Sequence, residues 1–419
     1  TQLLGAFNDN LFKNAMVLYV VYEVYNSEAA EARFSALASA IFIIPFFLLS
    51  ALAGQMADMR DKARLIRVIK ACEIGIMLIG GGGLALAWLG MGLHTLAIPM
   101  MLLALFAMGI HSTFFGPIKY AILPQHLHPG EVLSGTGLVE AGTYLAVLGG
   151  TIVAGWISVE AAAVSVVAVA AIGFLAGCKV PAAPPLCTPE PLDYHVVRAS
   201  ITLVRTPRAD RGVSLAICAI SFFWGGGTFF FTQFPPLAKN ILLASKEVAS
   251  LFLVIFSVGI AIGSVAVNAL LKGTVSARWA PVSVLGMGVF LVAFQQVCAF
   301  WPPHGGPEKL MDVATFVVQP LAVPLMLTLL GIAISGGMFV VPLYAFLTTF
   351  VERSQTARTI AANNIVNSGA MVLGALLTGV LTFVGMPVIQ QLLVVAASSL
   401  ASAWLAFLLF RAEREAAAA

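Results

Sequence analysis

The chain has 419 residues, of which 60% are hydrophobic and only 10% are charged, and its formal net charge is +3. Soluble domains carry roughly 25% charged residues, so this composition excludes an ordinary soluble fold and predicts an all-α membrane protein. The net charge is small, and the basic residues lie in short clusters between apolar runs rather than along one polar face, so nucleic-acid binding has no support. The five cysteines are odd in number and include no C-x-x-C pair, so neither a disulfide framework nor a metal site is predicted.

Apolar runs long enough to cross a bilayer recur along the chain. A spanning helix needs about 20 apolar residues, and we predict about twelve such helices in two sets of six, divided by a proline-rich, charged stretch. The predicted spans are 3–25, 34–56, 65–90, 95–115, 135–157 and 159–178, then 213–234, 248–271, 279–301, 316–348, 360–384 and 388–410. We therefore expect an N-terminal six-helix bundle over 1–178, a cytoplasmic linker over 179–211, a C-terminal six-helix bundle over 212–411 and a tail over 412–419.

Basic residues are distributed unevenly between the two ends of the predicted spans. With the N-terminus in the cytoplasm, seventeen Lys and Arg fall on that side and four on the other, with Lys13 inside the first span, which accounts for all 22. The positive-inside rule then predicts that both termini are cytoplasmic. The first apolar stretch has no signal-peptide features before it, so we expect a trimmed inner-membrane protein.

The first predicted span carries polar side chains at bilayer depth, namely Asn8, Asp9, Asn10, Lys13 and Asn14. A charge at the bilayer centre costs about 2.5 to 3.5 kcal/mol on insertion scales, so such groups usually face the protein interior or a wet cavity and serve function. Asp9 and Lys13 are four residues apart on one helix face, a spacing that allows an ion pair. The alternative is that the span begins later and these residues form a solvated cap.

The connection between the second and third spans is a candidate cytoplasmic gate. Gly54 permits close approach of two helices, and the Asp58 carboxylate at a helix end can pair with a guanidinium such as that of Arg64. The proposed gate residues are Gly54, Asp58, Arg60, Lys62 and Arg64. The pattern resembles the signature loop of the major facilitator superfamily, G-x-x-x-D-x-x-G-R-R/K, with Asp61 in place of the second glycine. The alternative is a basic loop that only obeys the positive-inside rule.

A short repeat relates the two halves. The segment PIKYA at 117–121 recurs as PLYA at 342–345, each at the end of the fourth helix of its half. Aligning Tyr120 with Tyr344 places Glu140 opposite Asn364, so a carboxylate and an amide occupy equivalent positions. We therefore expect a two-sided polar site where the halves meet. An interhelical hydrogen bond alone is the alternative for Glu140.

Two further places carry candidate residues. Lys70 and Glu73 in the third span are secondary candidates, because residues three apart can simply satisfy each other near the interface. Trp224 lies in an aromatic seventh span, where glycines 225–227 predict a flexible or broken helix. The aromatic residues of this span either line the substrate path or face the lipid. The complete candidate set for the substrate cavity is Asn8, Asp9, Lys13, Lys119, Tyr120, Glu140, Trp224, Asn364 and Asn367.

Four segments together resemble the lysophospholipid transporter family of the major facilitator superfamily. They are GAFNDNLFKN at 5–14, AGQMAD at 53–58, FGPIKYAILP at 115–124 and LVEAGT at 138–143. The resemblance implies the major facilitator fold and a flippase that moves lysophospholipids, such as lysophosphatidylethanolamine, from the outer to the inner leaflet of the bacterial inner membrane by alternating access, for phospholipid remodelling. It also implies that Asn8, Asp9, Lys13, Lys119 and Glu140 belong to the polar interior and gating set.

The resemblance is greatest to the transporter part of fusions with acyltransferase and acyl-ACP synthetase domains, which implies such an enzyme as a functional partner. A coupling ion, H⁺ or Na⁺, is expected, and no cofactor. A drug or small-solute antiporter is the alternative transporter, and a passive scaffold or receptor is disfavoured by the interior charges. An enzyme is not expected, because an acyltransferase needs a His-x-x-x-x-Asp pair, whereas His111 and His126 meet Gly116 and Glu131 at that spacing.

Overall fold

The computed structural model describes residues 1–24, 28–187, 191–205, 210–234, 237–302 and 310–418, and within these ranges the chain is almost entirely helical. The helices of ten or more residues are α1 (Gln2–Tyr19), α2 (Glu28–Met59), α3 (Lys62–Trp88), α4 (Ile98–Ala121), α5 (Val132–Trp156), α6 (Val159–Cys178), α7 (Val196–Arg205), α8 (Arg211–Thr232), α9 (Lys246–Leu271), α10 (Ala280–Ala299), α11 (Ala322–Thr349), α12 (Thr356–Phe383) and α13 (Val388–Ala418). Shorter helical segments are Val20–Val24, Leu93–Ala97, Leu123–His126, Pro129–Glu131, Leu237–Ile241 and Val313–Val317.

Eleven segments among the described residues are long and apolar enough to cross a membrane. Each of them overlaps one of the predicted spans, and the prediction of about twelve apolar helices is confirmed. The first predicted span corresponds to α1 and the turn Val20–Val24 that continues it, and it is not one of the eleven. Two charged residues and three asparagines lower the hydropathy of α1.

The described chain packs into two compact units. Unit 1 consists of Thr1–Leu127, Gly142–Thr206 and Val351–Ile365, and unit 2 of His128–Ala141, Pro207–Phe350 and Val366–Ala419. Each unit takes most of its helices from one half of the sequence and a short segment from the other half. Helices α5 and α12 are therefore each divided between the units, and the bundle boundaries at 178 and 211 stay a prediction.

The core of unit 1 is apolar and closely packed. Buried side chains of α1 to α6 form it, among them Phe12, Met77 and Met101. Small residues allow membrane helices to approach. At Gly109 of α4, an added Cβ would lie 2.5 Å from the Phe42 carbonyl oxygen of α2, so these two helices touch through backbone.

Unit 2 has an aromatic core at the end of α8. Phe230, Phe231, Phe234, Phe256 and Phe294 contact one another, with ring centroids 4.7 to 6.4 Å apart. Edge-to-face packing of such rings stabilises a core beyond the area that it buries. These aromatic residues therefore serve the interior of unit 2 more than the lipid or a substrate path.

Helix α8 runs without a break through the three glycines that predict a flexible or broken helix. An added Cβ at Gly225 would lie 2.9 Å from the carbonyl oxygen of Ala370 on α12. The glycine serves close helix packing, which compensates for its low helix propensity. The expectation of a break is wrong for this reason.

The predicted linker contains helix α7 and is attached to unit 1. The backbone N–H of Lys62 donates to the Ala183 carbonyl at 2.9 Å, and the N–H of Asp193 donates to Oε1 of Gln55 at 3.0 Å. Residues 188–190 and 206–209, which include the predicted linker residues Pro189, Pro207 and Arg208, lie outside the described ranges.

Asp193 organises the start of α7. The Arg198 guanidinium donates to both of its carboxylate oxygens, at 2.8 and 3.1 Å, and the His195 N–H donates at 3.0 Å. The Arg198 bonds, followed by the His195 N–H, lower the pKa of Asp193 from 3.8 to about 2. Because the pKa is lower in the folded protein, ionised Asp193 stabilises the folded linker at pH values above 3.8. This contribution is lost as the pH falls from 3.8 towards about 2. Asp193 therefore does not titrate near neutral pH.

Candidate functional site

A buried ion cluster in unit 1 joins α1, α3 and α4. The Nζ of Lys70 lies 2.5 Å from Oε2 of Glu73, and Nε2 of His111 lies 3.2 Å from the same oxygen. Asn8 donates from Nδ2 to Oε1 of Glu73 and to the Val166 carbonyl, both at 3.1 Å. The side chains of Asn8, Lys70, Glu73 and His111, here called the ion cluster, are at most 6% exposed.

Local sequence explains how the ion cluster forms. The spacing of three residues places Lys70 and Glu73 on one face of α3. Gly5 of α1 leaves room for the lysine head, because an added Cβ there would lie 2.6 Å from Nζ. A buried charge needs a close partner. The Glu73 carboxylate has three, namely the Lys70 ammonium, the His111 ring and the Asn8 amide. Lys70 and Glu73 therefore do pair with each other, as the simpler alternative has it. Both are fully buried, however, and Glu73 also contacts Asn8 and His111.

His111 belongs to this site and was not predicted as a site residue from the sequence. A histidine in the middle of the apolar helix α4 carries the same signal as the other intramembrane polar residues, because its burial is costly without a partner. It was considered only as a catalytic base. Its ring also stacks on Phe115, with centroids 6.3 Å apart.

Asp9 and Lys13 lie inside helix α1 beside the ion cluster, and not in a solvated cap. Ser112 donates from its hydroxyl to Oδ2 of Asp9 at 2.6 Å. The ammonium of Lys13 lies 5.9 Å from the centroid of the Phe42 ring, within the range of a cation–π contact. Among the described residues, Asp9 and Lys13 form no salt bridge with each other, so the ion pair suggested by their spacing is not formed.

Asp58 caps the N-terminus of α12 within unit 1. The backbone N–H groups of Ala357 and Arg358 donate to Oδ1 and Oδ2 of Asp58, each at 2.9 Å, and the Arg358 Nε lies 4.0 Å from Oδ2. A carboxylate at a helix N-terminus is favoured by the exposed N–H groups and the helix dipole. Gly54 makes this approach possible, because an added Cβ would lie 2.6 Å from Cβ of Ala361.

The expected pairing of Asp58 with Arg64 is wrong. Arg64 is exposed, and its backbone N–H donates to Oδ1 of Asp61 at 2.8 Å. Asp61, which stands in place of a motif glycine, is the N-cap of α3. Lys62 is fully buried near Asp58, whereas Arg60 is exposed. The buried members of the proposed gate are therefore Asp58 and Lys62, together with the close contact at Gly54.

A second polar network lies in unit 2 and centres on Tyr344 of α11. The Trp224 indole N–H and Nδ2 of Asn367 donate to its hydroxyl oxygen at 3.0 and 3.3 Å, and Ser221 donates to Oδ1 of Asn367 at 2.7 Å. Trp224 and Asn367 were predicted for the polar cavity, whereas Ser221 was missed. Tyr344 was predicted only as the repeat partner of Tyr120. The network connects α8, α11 and α12.

Replacing Tyr344 by phenylalanine is expected to lower the free energy of unfolding by about 1 to 3 kcal/mol, because the buried amide of Asn367 and the partly buried indole N–H of Trp224 lose their acceptor. The matched control is Tyr194→Phe, since Tyr194 is exposed. Denaturant titration of the purified protein in mixed micelles measures both. Equal stabilities of the two variants would contradict the assignment of this network.

The remaining candidate residues are distributed over the two units. The ammonium of Lys119 lies 4.7 Å from the ring centroid of the buried Tyr120 in unit 1. Asn364 of unit 1 approaches Gly116, where an added Cβ would be 3.2 Å from its amide nitrogen. Glu140 is buried in the part of α5 that belongs to unit 2. The predicted pairing of Glu140 with Asn364 stays a prediction.

An apolar groove with a volume of about 220 Å³ borders the ion cluster within unit 1. It is lined by Ala53 and Met56 of α2, by Leu65, Val68, Ile69, Cys72 and Ile76 of α3, and by Ile110, His111, Phe114 and Ile118 of α4. His111 is common to the groove and the ion cluster. The His111 side chain thus contacts both the ion cluster and the apolar groove.

A family model described as Major Facilitator Superfamily matches residues 1–330. The chain belongs to this superfamily. It is therefore a multi-pass membrane protein with the major facilitator fold. Solved structures agree with the fold: a bacterial homologue of the iron transporter ferroportin in an outward-facing state has a TM-score of 0.68 at 13% identity, covering 98% of each chain. The human organic anion transporter MFSD10 has a TM-score of 0.69 at 13% identity, covering 97% of each chain.

Curated relatives within the superfamily are similar along most of their length. Lysophospholipid transporter LplT of Serratia proteamaculans is 27% identical over 384 residues, which are 89% of this chain and 84% of that protein. Lysophospholipid transporter LplT of Klebsiella pneumoniae (strain ATCC 700721 / MGH 78578) is 26% identical over 398 residues, covering 92% and 88%. The similarity to this family extends well beyond the four segments of the first half that suggest it.

Proposed function

We propose that this major facilitator protein is a lysophospholipid flippase. The observation that carries the proposal is the contact, through His111, between a fully buried ion cluster and an apolar groove. A lysophospholipid has one charged headgroup and one acyl chain, so its site needs polar anchoring groups beside apolar surface. The similarity to proteins named lysophospholipid transporter, over about nine-tenths of this chain, supports the same substrate class.

The proposed movement is from the outer to the inner leaflet of the bacterial inner membrane, by alternating access of the two halves. Both termini are proposed to be cytoplasmic from the seventeen-to-four distribution of basic residues. The cap of Asp58 on α12 would then lie at the cytoplasmic side and hold that side closed until it is released. The protein acts as a transporter and not as an enzyme, and an acyltransferase/acyl-ACP synthetase is the proposed consumer of the delivered lipid.

Replacing Asp9 by asparagine, or Glu140 by glutamine, is expected to reduce lysophosphatidylethanolamine uptake at least about tenfold, because each variant removes a carboxylate charge from the interior and about 1.4 kcal/mol gives that factor. Uptake is measured in vesicles containing purified protein, as the labelled lipid that becomes protected from extraction by albumin. Asp193→Asn is the matched control, since Asp193 belongs to the linker, and it should retain the wild-type rate. Wild-type rates in both site variants would overturn the site assignment, and absence of uptake by folded wild-type protein would overturn the function.

A further inference from the structure

Large apolar side chains are exposed on helix α7 and just before it. Val197 and Ile201 are 62% and 47% exposed, and Tyr194, two residues before the helix, is 73% exposed. Val197 and Ile201 are four residues apart and therefore share one face of the helix. Single exposed apolar residues are normal on a protein surface, whereas a pair on one helix face beside an exposed tyrosine forms a candidate interaction surface.

The apolar side of α7 is wider than the part that the protein covers. Helix α7 packs against α2, and its Ala199 and Leu203 are buried. At about 100° per residue, the apolar side continues from Leu203 through the half-buried Val204 to Val197 and Ile201. The helix thus places one part of its apolar side on unit 1 and leaves the other part exposed.

Arginine side chains border the exposed part. Arg198 and Arg205 are exposed and seven residues apart, so they lie on the same side of α7, and the helix contains no Asp or Glu. Arg198 is paired with Asp193, whereas Arg205 forms no salt bridge with a described residue. A basic edge beside exposed apolar residues is the pattern of a helix that lies in the surface of a membrane with anionic lipids.

The position of α7 fits the surface of a membrane. The backbone N–H of Asp193 donates to Oε1 of Gln55, which lies in the last turns of α2 before that helix ends at Met59. A membrane-spanning helix ends near the boundary between hydrocarbon and headgroups, so the start of α7 lies close to that depth. Tyrosine, which stands at 194, is enriched at this boundary.

We propose that α7 is an interfacial helix that binds anionic phospholipids of the bilayer in which the protein lies. Val197 and Ile201 enter the region between headgroups and acyl chains, and Arg205 contacts lipid phosphate. The linker is also hydrogen-bonded to unit 1, from Lys62 to the Ala183 carbonyl and from Asp193 to Gln55, so lipid binding fixes the linker from its remaining side. This inference goes beyond the proposed function and does not depend on which molecule is transported.

Hydrogen–deuterium exchange of the wild-type protein tests the charge preference. It compares nanodiscs of phosphatidylcholine with nanodiscs of phosphatidylcholine and phosphatidylglycerol, an anionic phospholipid. We expect the amides of 196–205 to exchange about fivefold more slowly with the anionic lipid, the factor expected for one arginine at an anionic surface. The difference should shrink at high salt, because exposed charges are screened. Equal exchange in the two lipid mixtures would overturn the proposal.

Arg205→Gln should lose most of this difference between the lipid mixtures. Arg278→Gln is the matched control, because Arg278 is also exposed and on the side predicted to be cytoplasmic, but lies in the connection before α10. It should keep the wild-type difference. A wild-type difference in Arg205→Gln would contradict the contact of Arg205 with lipid phosphate.

Photo-crosslinking in the same nanodiscs identifies the side of α7 that meets the lipid. With p-benzoylphenylalanine in place of Ile201, we expect adducts with deuterated phosphatidylglycerol, detected by mass spectrometry. The same group in place of Thr202, an exposed residue about 100° further round the helix, should give several-fold fewer. Equal lipid adducts at the two positions, no lipid adduct at 201, or adducts at 201 with protein alone would overturn the proposal. Neither measurement uses transport, so a failure of the proposed function leaves both results unchanged.

Discussion

Replacing Glu73 by alanine is expected to lower the free energy of unfolding by about 3 to 5 kcal/mol, because removing one partner leaves a buried charge uncompensated. The charge in question is that of Lys70, which is fully buried 2.5 Å from the Glu73 carboxylate. Equilibrium unfolding in mixed micelles, monitored by circular dichroism, measures this loss of stability. It is the largest stability effect that we expect from any single substitution in unit 1.

Two matched variants separate this explanation from a general loss of packing. Lys70→Met combined with Glu73→Leu removes both charges and should recover most of the stability, since a buried ion pair replaced by apolar residues is often neutral or better. Glu415→Ala breaks the exposed pair with Arg411 and should change the free energy of unfolding by less than about 1 kcal/mol. A double variant as unstable as Glu73→Ala would contradict the argument from unpaired charge.

Replacing Asp58 by alanine is expected to lower lysophosphatidylethanolamine uptake at least about tenfold, together with a stability loss of about 1 to 3 kcal/mol. Two backbone N–H groups at the start of α12 lose their acceptor in this variant, so the hydrogen bonds that join α2 to α12 are lost. Asp58→Asn retains an acceptor oxygen without the charge and should fall between alanine and the wild type. Vesicle uptake and mixed-micelle unfolding give the two readouts.

Asp61→Ala is the control for Asp58, because Asp61 lies in the same connection and also caps a helix. Its bond is to Arg64 at the start of α3 and connects no distant segment. This variant should lose a comparable amount of capping energy, about 0.5 to 2 kcal/mol, and keep most of the uptake. If Asp61→Ala and Asp58→Ala reduced uptake equally, the special role of the contact with α12 would be refuted.

The parts of this fold that depend on composition can be predicted from sequence. Helices that must satisfy their own backbone in lipid need long apolar runs, so their number and approximate position are visible in hydropathy. Polar residues that interrupt such runs are equally visible, because their insertion is costly. Asp9, Lys70, Glu73 and Glu140 were singled out in this way, whereas the Gly54 to Arg64 connection was singled out by its motif.

The partners of those residues could not be predicted, since they depend on which helices pack together. Asp58 binds N–H groups about 300 positions away in the sequence, whereas the nearby Arg64 looked equally suitable. Glu73 is held by Asn8 and His111 from two other helices, and only its bond to Lys70 is local. Gly225 shows the same limit, because its helix propensity predicts a break that packing against Ala370 removes.

One competition measurement decides whether this chain moves lipids with one acyl chain. Vesicles containing the purified protein are given labelled lysophosphatidylethanolamine together with an excess of glycerophosphoethanolamine, which has the same headgroup and no acyl chain. We expect protein-dependent uptake of the lysophospholipid that the headgroup compound does not inhibit, because binding requires apolar surface as well as the ion cluster. Uptake of labelled glycerophosphoethanolamine at a similar or higher rate, with no movement of the lysophospholipid, would contradict it and identify a small-solute transporter.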